Sequence, residues 1–251
     1  MRIWVWISAM LFVLLWVPLA QAQSHDHGSG FDGAAPLQLD NPGFPNAFYY
    51  KPRSNRSMKP VFVYLHGRGD NPEWDCRQWA KVVRQMGWLL CPAGQEVRGL
   101  ASNAWANDSA TAERVVMGAL QSLRRKYGRR VQLYGNVLIG FSEGAYVGQN
   151  IGVTQMKTFN RWLIMASCDR YFGGNLPLLE QEAKAKKLKR VYLWTGELDG
   201  VVFESKAAYE HLHKLGVNVR LNIPQGFWHA IPSETMEQNF KQPLKWLLAA
   251  R

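Results

Sequence analysis

VQLYGNVLIGFSEG, residues 131–144, is the stretch on which the reading of the fold turns. An apolar run (Val137, Leu138, Ile139) stops abruptly at Gly140-Phe141-Ser142-Glu143-Gly144, and a segment containing the small residues Ala145, Val147 and Gly148 follows. The pattern predicts a strand, a sharp turn and a helix, the arrangement of a nucleophile elbow. Such a turn holds its serine at strained backbone angles, and glycines two positions either side let strand and helix pass closely. Ser142 Oγ would then stand clear of the sheet at a helix N-terminus, where partial positive charge favours a developing anion. A glycine-bearing turn whose serine merely caps the helix fits the same five residues, so the rest of the chain must choose between the two.

The chain has 251 residues, 47% of them hydrophobic, enough for one sizeable core. Its start reads differently from the rest. Met1-Arg2 gives a positive start, residues 3–19 form an uncharged apolar run, and Ala20-Gln21-Ala22 makes a small-x-small cleavage site. Residues 1–22 are therefore expected to be a secretory signal peptide, with the mature protein secreted or periplasmic and in contact with a membrane only through that segment before cleavage. An uncleaved anchor is the competing reading; the short run, Pro18 and the lack of a basic stop-transfer cluster argue against it. Export would put Cys76, Cys91 and Cys168 in an oxidising setting, and a Cys76–Cys91 disulfide with Cys168 free is favoured over three buried thiols. Residues 23–46, rich in Gly, Pro, Asp and Asn, read as a flexible lead-in passing into an extended arm. His25 and His27 flank Asp26 there, but two histidines on such a tail are more often idle. With no CxxC or paired Cys/His spacing, neither a metal nor any other cofactor is expected.

The formal net charge is +11, and its densest clusters are Arg124-Arg125-Lys126, Arg129-Arg130 and residues 184–190. Both regions sit at predicted helix ends, where cations complement the helix dipole, so they read as solvated faces. No aromatic-basic recognition motif accompanies them, which argues against nucleic acid as a partner.

After a short strand expected over 47–51, strands and helices alternate from residue 60 to the C-terminus. Strands are expected over 47–51, 60–65, 88–91, the elbow strand, 159–167, 190–195 and 218–223. Helices are expected over 72–86, from an Asp108 or Ser109 cap to Lys126, after Ser142, and over 178–187, 203–215 and 233–248. This is an α/β domain over 47–251, a single doubly wound, mostly parallel sheet with helices on both faces and no room for a large lid. Sites in such sheets lie beyond the C-terminal strand ends.

Three further segments reach that edge. His66-Gly67-Arg68-Gly69-Asp70 follows an apolar strand, and its glycines let the main chain approach a substrate carbonyl; Arg68 and Glu143 are the expected backbone donors of an oxyanion hole. Asp199, within Gly196-Glu197-Leu198-Asp199-Gly200, is placed to orient a histidine; Asp169 is its rival and Glu197 the fallback. His229 lies in a loop after the last strand. His211 and His213 fall inside a predicted helix, and His66 belongs to the glycine loop, so His229 is the expected base. Trp105, on the 92–107 loop, either shapes the substrate cleft or packs.

Gly140–Gly144, His66–Asp70, Asp199-Gly200-Val201-Val202 and His229-Ala230-Ile231-Pro232 together resemble the α/β-hydrolase superfamily, and within it the small, lidless carboxylesterase and acyl-thioesterase-like branch. The chain is also similar to secreted polyhydroxybutyrate-depolymerase and feruloyl-esterase-type members. The resemblance covers about residues 47–250. It implies a serine hydrolase with Ser142, Asp199 and His229 as triad and a small-molecule or polymer ester as substrate. Two departures stand out: Glu143 where that branch has glutamine, its side chain expected to alter the charge of the cleft, and Trp228 where it has glycine, expected to narrow it. The competing class is a hydrolase-shaped protein that binds ligands without turnover, its basic surface docked on an acidic partner.

Overall fold

Alternation along the strands sets the two faces of the sheet. In β3 (Val61–Leu65) the side chains of Val61, Val63 and Leu65 join one buried cluster, while Phe62 and Tyr64 join the other. The computed structural model describes residues 33–54, 56–96, 103–167 and 175–249. The expected signal peptide, His25, His27, Cys168 and Asp169 lie outside them.

Among the described residues, eight strands form one sheet. Its order is β1 (Leu37–Leu39), β2 (Ala47–Tyr50), β4 (Trp88–Cys91), β3, β7 (Asn136–Phe141), β8 (Phe159–Met165), β9 (Arg190–Trp194) and β10 (Val219–Asn222). The six strands from β4 to β10 in that order are parallel, and β2 and β1 extend the sheet antiparallel. A separate two-stranded ladder joins β5 (Gln95–Glu96) to β6 (Asn103–Ala104).

Helices cover both faces. On one lie α2 (Ser109–Tyr127), α3 (Glu143–Thr154), α4 (Leu176–Lys184) and α5 (Val202–Lys214), which contribute Val116, Leu120, Ile151, Leu179 and Leu212 to the larger cluster. On the other lie α1 (Pro72–Val83) and α6 (Met236–Leu248), with Trp79, Val83, Phe240 and Leu244. Their starts follow local chemistry. Asn71 Oδ1 accepts the N–H groups of Glu73 and Trp74 with Pro72 in the first turn of α1, and Asp108 Oδ1 accepts those of Ala110 and Thr111 at α2.

The arm expected over 23–46 is part of the sheet from Leu37. β1 pairs with β2 (Leu37 with Tyr49, Leu39 with Ala47), Asn41 Nδ2 donates to the Val115 carbonyl at 3.1 Å, and Tyr50 Oη donates to that of Ala34 at 2.6 Å. The compact unit accordingly runs from Ala34 to Arg251. Composition hid this strand, because a three-residue edge strand with two exposed side chains has almost no apolar period to show. The helix expected over 72–86 stops at Val83; Met86 and Gly87 N–H groups both turn back to the Val83 carbonyl as the chain enters β4. Cys76 and Cys91 form a disulfide that ties α1 to the end of β4. No described helix is long and apolar enough to cross a membrane.

Candidate active site

The elbow follows from a crowded crossing. A Cβ on Gly144 would lie 2.2 Å from the Leu65 carbonyl oxygen and 2.4 Å from that of His66, so the first turn of α3 can rest against the end of β3 only without a side chain there. Between β7 and α3 Ser142 adopts φ 52° and ψ −119°, and its N–H is held by the Met165 carbonyl at 3.0 Å. Its side chain makes no capping bond to α3.

Instead Ser142 Oγ lies 2.8 Å from His229 Nε2. The other ring nitrogen, Nδ1, is 2.8 Å from Asp199 Oδ2. A carboxylate only accepts, so Nδ1 carries the proton and Nε2 is left to accept from the serine hydroxyl. Asp199 is nearly sealed from water and its Oδ1 accepts the Val201 N–H at 3.0 Å, which fixes the carboxylate plane. The imidazole is 46% exposed, so the reacting side of the site opens directly to solvent.

Two loops have to touch for this to happen. A Cβ on Gly196 would fall 2.2 Å from the Phe227 carbonyl oxygen, and the Leu198 N–H donates to that same oxygen at 2.9 Å. Phe227 anchors the histidine loop edge-on against Trp194, and Phe141 packs 5.1 Å from the His229 ring. Glu197, the fallback acid, turns elsewhere: its Oε2 accepts the Gly226 N–H.

No protein-family model matches the chain, and no curated protein matches it by sequence. Solved structures do. The chain is similar to a Bacillus cereus carboxylesterase at 16% identity, covering 80% of this chain and 92% of that one with a TM-score of 0.57. It is similar to a Pyrobaculum calidifontis esterase at 15%, covering 84% and 83% with a TM-score of 0.57. A ferulic acid esterase matches at 16%, covering 80% and 91% with a TM-score of 0.62. The chain has the α/β-hydrolase fold.

In an α/β-hydrolase fold the loop after β3 faces the elbow, and here it is firmly braced. His66 is fully buried. Its Nε2 accepts the Gly94 N–H at 3.0 Å and its Nδ1–H donates to the Gly67 carbonyl at 2.7 Å. Burial holds its pKa down, to about 4, against the opposing pull of the Gly67 bond. Gly67 N–H donates to Asp70 Oδ2, and Gly69 N–H donates to the Asn103 carbonyl. The loop thus carries Arg68 with glycine on each side, and the Arg68 guanidinium reaches Glu143 in the first turn of α3.

Trp105 does not line the cleft. It is 5% exposed, its indole N–H donates to the His66 carbonyl at 2.9 Å, and its ring lies against the imidazole of His66. Of the two roles the sequence allowed it, its burial is that of a packing residue, and its indole replaces water as partner for a buried carbonyl. Trp228 is the opposite case, 67% exposed beside His229.

The sequence placed the Glu143 side chain where it would alter the charge of the cleft; the structure turns it inward instead. Its carboxylate is buried and takes hydrogen bonds from Arg68, Trp105 and Asn107. The available signal was an acid directly after the serine together with a base in the glycine loop. Among the described residues no group of His, Cys, Asp and Glu side chains is arranged to hold a metal ion. A groove of about 770 Å³ opens at the far end of the sheet, where Lys157, Arg161, Lys186, Lys187 and Lys189 gather at the C-terminal ends of α3 and α4, a placement that complements the helix dipoles.

Proposed function

We propose that this protein is an exported serine hydrolase that cleaves carboxylic esters or thioesters through an acyl-enzyme on Ser142. The observation that carries the reading is the unbroken series Ser142 Oγ, His229 Nε2, His229 Nδ1, Asp199 Oδ2, with both hydrogen bonds at 2.8 Å.

In this mechanism His229 Nε2 takes the hydroxyl proton as Ser142 Oγ attacks the acyl carbonyl, and Asp199 stabilises the imidazolium. The N–H groups of Arg68 and Glu143 receive the oxyanion; one such donor is typically worth about 3 kcal/mol of barrier. His229 then gives its proton to the leaving alkoxide or thiolate. Water, deprotonated by the same nitrogen, releases the acid and restores the serine. The exposed imidazole, with no large inserted lid among the described residues, suits small or protruding acyl groups, with Trp228 as one wall of the cleft. The similar structures bearing the names carboxylesterase and ferulic acid esterase favour ester substrates, small-molecule or polymer. Export is supported by the apolar run over 3–19 with the small-x-small site after it, and by the Cys76–Cys91 disulfide.

Ser142→Ala is expected to abolish p-nitrophenyl acetate turnover and covalent labelling by a fluorophosphonate. Labelling that survives in the variant would exclude this serine as nucleophile.

A further inference from the structure

Glu143 has two jobs at once. Its backbone N–H is an oxyanion donor in the reading above, while its carboxylate, 4% exposed, is turned into the protein. There Oε1 accepts from Arg68 Nη2 at 2.6 Å and from the Asn107 N–H at 3.1 Å, and Oε2 accepts from the Trp105 N–H at 3.1 Å. Oriented to satisfy both neighbours, the Asn107 amide donates Nδ2 to Glu143 Oε1 at 3.2 Å and accepts from Arg68 Nη2 at 3.3 Å.

The turn that meets this carboxylate is strained. Ala106 and Asn107 both have φ of 53°, and neither is glycine. Such turns direct successive N–H groups toward one point and form a nest for an anion. Here the anion is built into the chain. The same segment also grips the other side of the oxyanion loop, through Asn103 to Gly69 and Trp105 to His66.

We infer that the Arg68–Glu143 ion pair is a clamp that fixes the two oxyanion-donating amides relative to each other, with both side chains acting as positioning groups. The inference rests on reading Ser142 as an acyl nucleophile. Two amides serve one oxygen only if both stand about 2.7–3.1 Å from it. Arg68 sits between two glycines, one of them at φ +82°; their N–H groups are held by Asp70 and Asn103, which leaves the freedom in the Arg68 peptide itself. A tie from its own guanidinium to the residue carrying the second donor removes that freedom. The guanidinium is 57% exposed, which limits what the pair adds to stability; its consequence is geometric.

The test is steady-state kinetics of the full chain with p-nitrophenyl acetate, active sites being counted by fluorophosphonate titration. Arg68→Met and Glu143→Gln, whose amide offers one acceptor oxygen to donors on two sides, are each expected to lower kcat about ten- to a hundred-fold with KM within about two-fold. The double variant should be no slower than the slower single one, since either change opens the clamp. Arg68→Lys, which keeps a cation facing the carboxylate, should retain most of kcat. Affinity for a trifluoromethyl ketone, which forms a tetrahedral adduct, should fall in step with kcat; a merely structural pair would lower the active fraction and leave the titrated sites as fast and as tight as before. Unchanged kcat in Arg68→Met, or losses that multiply in the double variant, overturn the clamp while leaving the Ser142 reading intact. A wild-type protein without Ser142-dependent turnover overturns both.

Discussion

His66 shows how one buried side chain makes a whole loop sensitive to acid. Unfolded, a histidine takes up its proton near pH 6.5; folded, His66 does so near pH 4, because burial disfavours the cation. Protonation would also put a hydrogen on Nε2, where the Gly94 N–H already points. Between those two pH values the unfolded chain binds the extra proton. The stabilisation is therefore complete above about pH 6.5, shrinks as pH falls toward 4, and amounts to about 3 kcal/mol at its largest. Asp75, whose carboxyl burial pushes well up, works in the opposite direction, its contribution being lost as pH rises. Comparing urea unfolding of wild type and His66→Gln from pH 4 to 7 cancels that second effect. The wild type is expected to lose stability relative to the variant on acidification, and parallel curves would remove His66 as the cause.

At the scale of elements, the site depends on neighbouring loops approaching without side chains between them. Gly196→Ala places a methyl against the Phe227 carbonyl and must push the 227–229 segment away from Asp199. Such a displacement is expected to lower kcat/KM at least about a hundred-fold with far-UV circular dichroism unchanged; wild-type kinetics would mean the loops yield freely. The long elements were legible in the sequence because their patterns are local. The strand expected over 88–91 is β4, the elbow glycines bracket a serine of positive φ, and Ser142, Asp199 and His229, on the loops after β7, β9 and β10, stand within hydrogen-bond distance in series. What escaped was set by distant partners. The short β1 exists because β2 offers it an edge, and the fate of Glu143 depends on Arg68, Trp105 and Asn107, which no spacing in the chain connects to it. Trp105 was ambiguous for the same reason: an indole reads alike on a cleft wall and under a loop until its N–H has an acceptor.

For the molecule as a whole, the Cys76–Cys91 bond links α1 on one face to the sheet itself, and both cysteines are fully buried. Closing a loop of this length contributes about 3 kcal/mol on the chain-entropy model. Replacing both cysteines with alanine is expected to lower the melting temperature by about 6–12 °C, measured by scanning calorimetry; an unshifted transition would mean the bond constrains nothing that unfolding releases. The loops that carry residues 142, 199 and 229 follow β7, β9 and β10, which lie on the same half of the sheet with β8 among them. None of the three side chains can find the others until every one of those strands is in register. On the proposed reading, labelling of Ser142 thus reports strand order: a chain that has regained its helices but not the order of those strands carries all three side chains in its covalent structure and keeps them apart.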